Sequence, residues 1–496
     1  MIPSSRSINQ RRLDYVYLFV VCLTTVLLLI VYQHSNSLTS SDECVYLTIA
    51  EEIAEGKAYS WGFPDGRPFI PSVIATFQAL GLNIINTRTL IPIIFMPMAL
   101  ISTFILGKTL IGRKEGYIAT LFLFTFPFFW DIGNTVLVEI PLSVFATLFL
   151  LFFYIGIDKD KKYLYLASVF ISIALLTKLS AVLFLLPALA YLIIKKRLNV
   201  CLSKHFICSV FIIPIVVFGV FALFYFKMSA EFDLSKIVES YAIQFNLYEI
   251  LRLCIAPVLV FAIFGIHKKT VYLWLPVLSF FLFWAIQGRV FDIRQFACLF
   301  PIVGVLVAVG FYWLLDRFHK KIIYTLMSCL LVVSFINVLY INDYHQDTLY
   351  GITSLLESVE ELDGKVATDF DAVTNYLWAV TDHDVMSAFT YSGTYPDRRP
   401  TYEVITDEWL TNNEVSYLIL SLYGEKHRAQ WDSVIHPKFL MIEIPFIEVG
   451  EYGQLPPADC RFESGFYYRC ERDYQRVATI KKGEQTVFII YQVKRH

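Results

Sequence analysis

Residues 40–56 read SSDECVYLTIAEEIAEG. Ser40, followed three residues later by Glu43, forms a capping-box pattern, in which the two side chains satisfy backbone donors at a helix start. Tyr46, Ile49, Ala50, Ile53 and Ala54 then recur at helical spacing, and Gly56 supplies a stop. The stretch follows directly on a long apolar run, so it predicts a short amphipathic helix lying on a bilayer surface. Successive helical residues point roughly 100° apart, so Asp42 and Glu43 cannot both face one site. The cap engages Glu43 as a supporting residue, and Asp42 is left as the free carboxylate at a membrane edge. The plainer reading of Asp42 is a helix-start acid favoured by the dipole.

The rest of the chain agrees with a membrane setting. Of its 496 residues 56% are hydrophobic and only 17% are charged, against about 25% charged in soluble proteins. Mean hydropathy is +0.57. A net charge of -2 leaves no basic footprint for nucleic acid. The expected fold class is an α-helical polytopic membrane protein of about 11 transmembrane helices, with a C-terminal α/β domain outside the membrane. The apolar runs are 15–33, 89–111, 117–131, 136–157, 163–178, 180–195, 205–227, 251–267, 270–287, 295–315 and 322–341. Pro127, Pro141 and Lys178 interrupt the region 117–195. The first run follows Arg11 and Arg12 with no small-residue cleavage site after it, and so reads as a retained signal anchor.

Alternate connections carry Arg11 and Arg12; Arg113 and Lys114; Lys159, Lys161 and Lys162; Lys195, Lys196 and Arg197; Lys268 and Lys269; and Arg317, Lys320 and Lys321. The intervening connections are nearly free of such clusters. The positive-inside rule makes the basic set cytoplasmic. The N-terminus is then inside and everything after Ile341 outside.

That orientation gathers charged residues on the outer side. Asp42 is one. Glu139 follows the WDIGN turn at the end of a run, and Lys178 sits in TKLS between two runs. Arg289, Asp292 and Arg294 lie in QGRVFDIR. An ionisable group at the edge of hydrocarbon is costly unless it is paired or faces a cavity. Cations at headgroup depth suit a phosphate, Arg bidentately and Lys as a point charge. A nearby carboxylate can take a proton from an incoming hydroxyl. Together they describe group transfer from a lipid phosphate. Simpler roles compete: Glu139 pairing with Lys178 only to neutralise both charges, Lys178 snorkelling to headgroups, and Arg289 pairing with Asp292. Arg294 is preferred over Arg289 at the phosphate because it opens the following run. Tyr59 and Trp61 read as interface anchors.

The acidic pair in a long first outer loop resembles the polyprenyl-phosphate-sugar glycosyltransferases of the GT-C superfamily, in the protein mannosyltransferase and aminoarabinose transferase branch. PFIPSVIATFQALG, NTVLVEIPLSVFATLFL, LLTKLSAVLFLLPAL and RQFACLFPIVGVLVAVG continue the likeness in order. The resemblance implies inverting transfer of one sugar from a polyprenyl-phosphate-linked donor to a protein, lipid or glycan acceptor. It implies Asp42 as base, Lys178 and Arg294 at the donor phosphate, and Glu139 as a second acid in the cleft. The family more often has Asp where Glu139 stands. Some members bind a divalent metal through a loop His; the outer-side His here is His34, no His falls at such a position, and neither metal nor other cofactor is expected. The membrane is the plasma membrane in a prokaryote and the endoplasmic reticulum in a eukaryote.

The expected organisation is a catalytic membrane domain, 1–341, with surface helices in the first outer loop (35–87), and an extracytoplasmic domain, 342–496. Residues 228–250 read as a further surface helix. Beyond 341, KVATD, DVMSAF, VSYLILSLY, FLMIEIP and TVFIIYQVK read as strands and DAVTNYLWAV as a helix, giving a partly parallel sheet. Asp369 and Asp371 flank a strand end as turn residues. Cys460 and Cys470 could pair in an oxidising space; Cys22, Cys201, Cys208, Cys254, Cys298 and Cys329 lie in or beside apolar runs. Two other classes fit less well. A transporter or flippase calls for charges near mid-membrane and related half-repeats. A receptor organised by its outer domain leaves Asp42, Lys178 and Arg294 dispensable.

Overall fold

The computed structural model describes residues 5–32, 41–54, 68–82, 84–225, 260–266, 270–287, 293–348 and 352–368, and, beyond these, 377, 381, 383–387, 389–392, 399–402, 407–421, 474–482 and 485–493. Ser40, His34, Tyr59, Trp61, Arg289, Asp292, Asp369, Asp371, Cys460, Cys470, the 228–250 segment, most of 251–267, the FLMIEIP strand and nearly all of the DAVTNYLWAV helix lie outside the described residues. The chain divides into two compact units: Met1–His34, Ala50–Asp233 and Ser240–Asn342 form one; Ser35–Ile49, Leu234–Glu239 and Asp343–His496 form the other.

The first unit is helical. Its helices are α1 (Ser5–Tyr32), α2 (Ser41–Ala54, whose first part belongs to the second unit), α3 (Phe69–Ala79), α4 (Ile84–Leu110), α5 (Arg113–Thr125), α6 (Pro127–Gly133), α7 (Glu139–Asp158), α8 (Tyr163–Thr177), α9 (Leu185–Ile194), α10 (Lys204–Tyr225), α11 (Val260–Phe264), α12 (Val271–Gln287), α13 (Phe300–Leu315) and α14 (Lys320–Thr348). Short 3-10 segments, Leu179–Phe184, Leu198–Leu202 and Ile293–Leu299, precede α9, α10 and α13. Among the described residues five helices are long and apolar enough to cross a membrane, or six if one bent pair counts as a span; five further apolar helices are shorter. This is an integral multi-pass membrane protein.

The bent pair is α5 and α6, which meet at 61°. The sequence reads 117–131 as a single run. Pro127 breaks it, because proline has no N–H to donate and drives the preceding residue out of the helical region. Phe126 is accordingly extended (φ -82°, ψ 114°). Its ring stacks edge-on against Phe300 at 4.8 Å, which ties the bend to α13. Small residues let neighbouring backbones approach. A Cβ on Gly304 of α13 would lie 3.0 Å from the Ala119 carbonyl of α5, and one on Gly310 would strike the Phe261 carbonyl of α11.

At one end of α1 a buried carboxylate gathers the α4–α5 corner. Asp14 accepts hydrogen bonds from Lys108 Nζ at 2.8 Å and from Arg113 Nε and the Tyr117 hydroxyl at 2.6 Å each. Arg113 also donates to the carbonyl of Gln10.

The second unit contains α15 (Ile352–Glu360), α16 (Asp407–Asn412) and two sheets. Strands β1 (Val366–Thr368), β2 (Val385–Ser387), β5 (Tyr417–Ser421), β6 (Gln475–Lys482) and β7 (Gln485–Gln492) form a sheet of order β2-β1-β5-β7-β6. Strand β1 is parallel to both of its neighbours, β2 and β5, with Val366 opposite Val385 and Tyr417. The hairpin β6–β7 adds antiparallel strands to β5, with Ile419 opposite Ile490. Strands β3 (Phe389–Ser392) and β4 (Arg399–Tyr402) form a separate antiparallel pair. Leu410, Leu418, Ile489 and Tyr491 fill the core beside the sheet, with Met386 and Trp409 packed against it. The sequence reading passed over β6, whose QRVATIKK run carries charges at both ends.

Candidate active site

Glu139 is the first residue of α7 and is 1% exposed. A carboxylate in a helix first turn is favoured by the dipole, but its burial needs closer partners. Lys178 supplies one. It occupies the break between α8 and the 3-10 segment Leu179–Phe184, with an extended backbone (φ -161°, ψ 132°). That single non-helical residue breaks the chain between two short apolar helices, and its side chain is turned inward, leaving the residue 6% exposed. Lys178 Nζ donates to Glu139 Oε1 at 3.1 Å and to Gln295 Oε1 at 2.6 Å. Arg294, beside Gln295 in the 3-10 segment leading to α13, brings Nε to 3.3 Å from the same Glu139 oxygen. Its side chain remains 30% exposed.

Three residues separated by as many as 155 positions thus meet through the starts of α7 and α13 and the end of α8. A buried ion pair is costly to desolvate and holds only with good geometry and further hydrogen bonds. Here one carboxylate faces two cations, and an amide carbonyl takes part of the load from Lys178.

The segment from Pro127 that leads into Glu139 is buried throughout, including Asp131 and Asn134. Arg88, near the start of α4, is also buried. Sequence reading missed these and Gln295. Arg88 and Asp131 look like ordinary flanking charges, and a neutral Gln beside an Arg carries no burial signal.

Glu43 is fully buried, on the stripe of α2 that carries Tyr46, Leu47 and Ala50. It therefore sits on the inward face of its helix. The Ser40 half of the proposed cap lies outside the described residues. Asp42 is the second residue of α2, and Arg289 lies outside the described residues. Among the described residues no group of three His, Cys, Asp or Glu side chains is arranged to hold a metal ion.

Residues 65–224 match the dolichyl-phosphate-mannose-protein mannosyltransferase family. That window holds Glu139 and Lys178. In fold the chain is similar to ArnT from Cupriavidus metallidurans in the apo state, with a TM-score of 0.64 at 13% identity, covering 97% of this chain and 98% of that one. The chain also matches ArnT bound to undecaprenyl phosphate, at TM-score 0.62 and 12% identity over 94% of this chain and 97% of that one. The arabinofuranosyltransferase AftD from Mycobacteria matches at TM-score 0.53 and 12% identity, over 97% of this chain and 40% of that one. At such identities these structures show the fold, and the family match covers residues 65–224 alone. No curated protein matches the chain in sequence.

Proposed function

We propose that this protein moves one sugar, with inversion, from a polyprenyl-phosphate donor to a hydroxyl acceptor on the extracytoplasmic side. The observation that supports it is the meeting of Lys178 and Arg294 on the buried carboxylate of Glu139. In this reading Asp42 removes the acceptor proton as the acceptor oxygen attacks the anomeric carbon. The bond from that carbon to the phosphate oxygen breaks, and the polyprenyl phosphate leaves with the electron pair. Lys178 and Arg294 neutralise the charge that grows on it. Arg289 is the alternative phosphate ligand.

Glu139, read from the sequence as a second acid in the cleft, takes a positioning part instead. It already carries both cations on one oxygen, which fits a group that fixes them better than one that exchanges protons. ArnT bound to undecaprenyl phosphate supports a donor of this lipid class. The basic loops support a cytoplasmic N-terminus and an extracytoplasmic position for residues 342–496. Acceptors of three kinds remain in play: a protein, a lipid or a glycan.

The test is Asp42→Asn, assayed with a polyprenyl-phosphate sugar. Loss of transfer with normal membrane insertion and retained donor binding is expected. Transfer at the parent rate would end the assignment of Asp42 as base.

A further inference from the structure

The end of α7 opposite Glu139 carries a second feature, unconnected with sugar transfer. Asp158, the last residue of α7, accepts a hydrogen bond from the Tyr191 hydroxyl at 2.7 Å and lies 4.0 Å from Lys195 Nζ. Nearby, the Tyr165 hydroxyl is 3.0 Å from Nδ1 of His205. These two contacts hold the 158–162 connection and the 195–205 segment side by side. The first exposes Lys159, Lys161 and Lys162; the second exposes Lys195, Lys196, Arg197 and Lys204. Asp158 and Asp160 are the acids of the two segments, so the surface is strongly cationic.

Charge alone is ordinary for a loop on one side of a membrane. The apolar residues set among these cations are not. Leu198 is 57% exposed and Leu202 is 83% exposed, on the two ends of the 3-10 segment that Val200, buried beneath it, pins to the protein. Ile193 and Ile194, just before the cations, are more than half exposed. Water alone disfavours the leucines, and hydrocarbon alone disfavours four cations within ten residues. The boundary between the two suits both, with leucines entering the acyl region and Lys and Arg at headgroup depth.

We propose that residues 193–204, together with Lys159, Lys161 and Lys162, form an interfacial platform that binds anionic phospholipids of the bilayer around the protein. The occupant is fixed by complementarity: clustered cations select anionic over zwitterionic headgroups, and the flanking leucines require that the anion belong to a lipid. The platform lies at the far end of a 20-residue helix from Glu139, so it is distinct from the donor site.

The experiment places the full-length protein in nanodiscs of phosphatidylcholine mixed with phosphatidylglycerol, removes bulk lipid by detergent exchange, and quantifies retained lipid by mass spectrometry. Phosphatidylglycerol is expected to be enriched severalfold over its bulk share, less so at high salt. The triple variant Lys195→Gln, Lys196→Gln, Arg197→Gln should lose that enrichment. The charge-preserving Leu198→Ser, Leu202→Ser variant should lose most of it. The double variant Lys320→Gln, Lys321→Gln, which removes cations elsewhere, should keep it. No enrichment in the parent, or equal loss from the Lys320 and Lys321 changes, would overturn the platform. If the triple variant fails to fold, the exposed single changes Lys196→Gln and Arg197→Gln carry the test: each should lower the enrichment, and folded variants that keep the parent's value would overturn the platform.

Discussion

Lys178 Nζ lies 3.1 Å from Glu139 Oε1, with the two side chains 8% and 1% exposed. The pair joins the end of one short helix to the start of another across 39 residues of sequence. Arg294 shares the same oxygen. Such a group is an element of stability as well as a site.

Glu139→Gln keeps the shape of the side chain and removes its charge, leaving two cations without their carboxylate. Removing one partner of a buried pair costs about 3–5 kcal/mol. The thermal unfolding midpoint should fall accordingly. Added polyprenyl phosphate should restore part of it, since a ligand that binds the folded state stabilises it. A variant that melts with the parent, with or without lipid, would show that Glu139 does not hold the cations.

Gln295 accepts from Lys178 at 2.6 Å. Hydrogen bonds to charged groups contribute about 1.5–3 kcal/mol, so Gln295→Leu should raise donor KM by about tenfold or more. Because Gln295 orients the lysine and touches no reacting atom in this account, kcat at saturating donor should change far less. Gln295→Glu adds a carboxylate beside the phosphate position and should weaken donor binding further. Steady-state kinetics over donor concentration separate the two parameters, and an unchanged KM in Gln295→Leu would remove the residue from the site.

How far the sequence announced this site depends on the kind of residue. Lys178 was legible because a charge between two apolar runs is costly unless it has a purpose. Glu139 and Arg294 were legible for the same reason, and the phase of the basic loops predicted one side of the membrane for all three. The bend at Phe126 was half legible: Pro127 marked the interruption, but its size follows from packing against Phe300. Gln295 was illegible, because a neutral amide shows no conflict with its surroundings until the fold brings a lysine to it. The burial of Glu43 was hidden for another reason. Cap and inward-facing positions coincide in the first turn of α2, and only burial distinguishes them. Strand β6 was hidden because a hairpin edge tolerates the charges that argue against a core strand.

Asp14 is the polar anchor of α1, holding Lys108, Arg113 and Tyr117 at once. Asp14→Asn loses the charge that all three donors use. A loss of about 3 kcal/mol is expected, as for other buried charged partners. It should appear as a lower unfolding midpoint in detergent, with no change in donor KM, because the cluster lies where α4 ends and α5 begins. A midpoint equal to the parent's would make the cluster ornamental.

Gly310 faces the Phe261 carbonyl so closely that an added methyl has no room. Gly310→Ala must separate α11 from α13, and overpacking of this kind costs about 1–3 kcal/mol. Gly219 has open space around its Cβ position, so Gly219→Ala should be harmless and serves as the control. Folded yield after solubilisation reports both, and equal yields would contradict the tight crossing.

The central claim is that Lys178 and Arg294 receive the donor phosphate, and affinity for that phosphate measures it most directly. Binding of a polyprenyl phosphate to purified protein should weaken about tenfold or more in Lys178→Ala, in line with the loss of one charge-assisted contact, while Asp42→Asn binds as the parent does. Equal affinity of Lys178→Ala and the parent, in protein shown to be folded, would contradict the account.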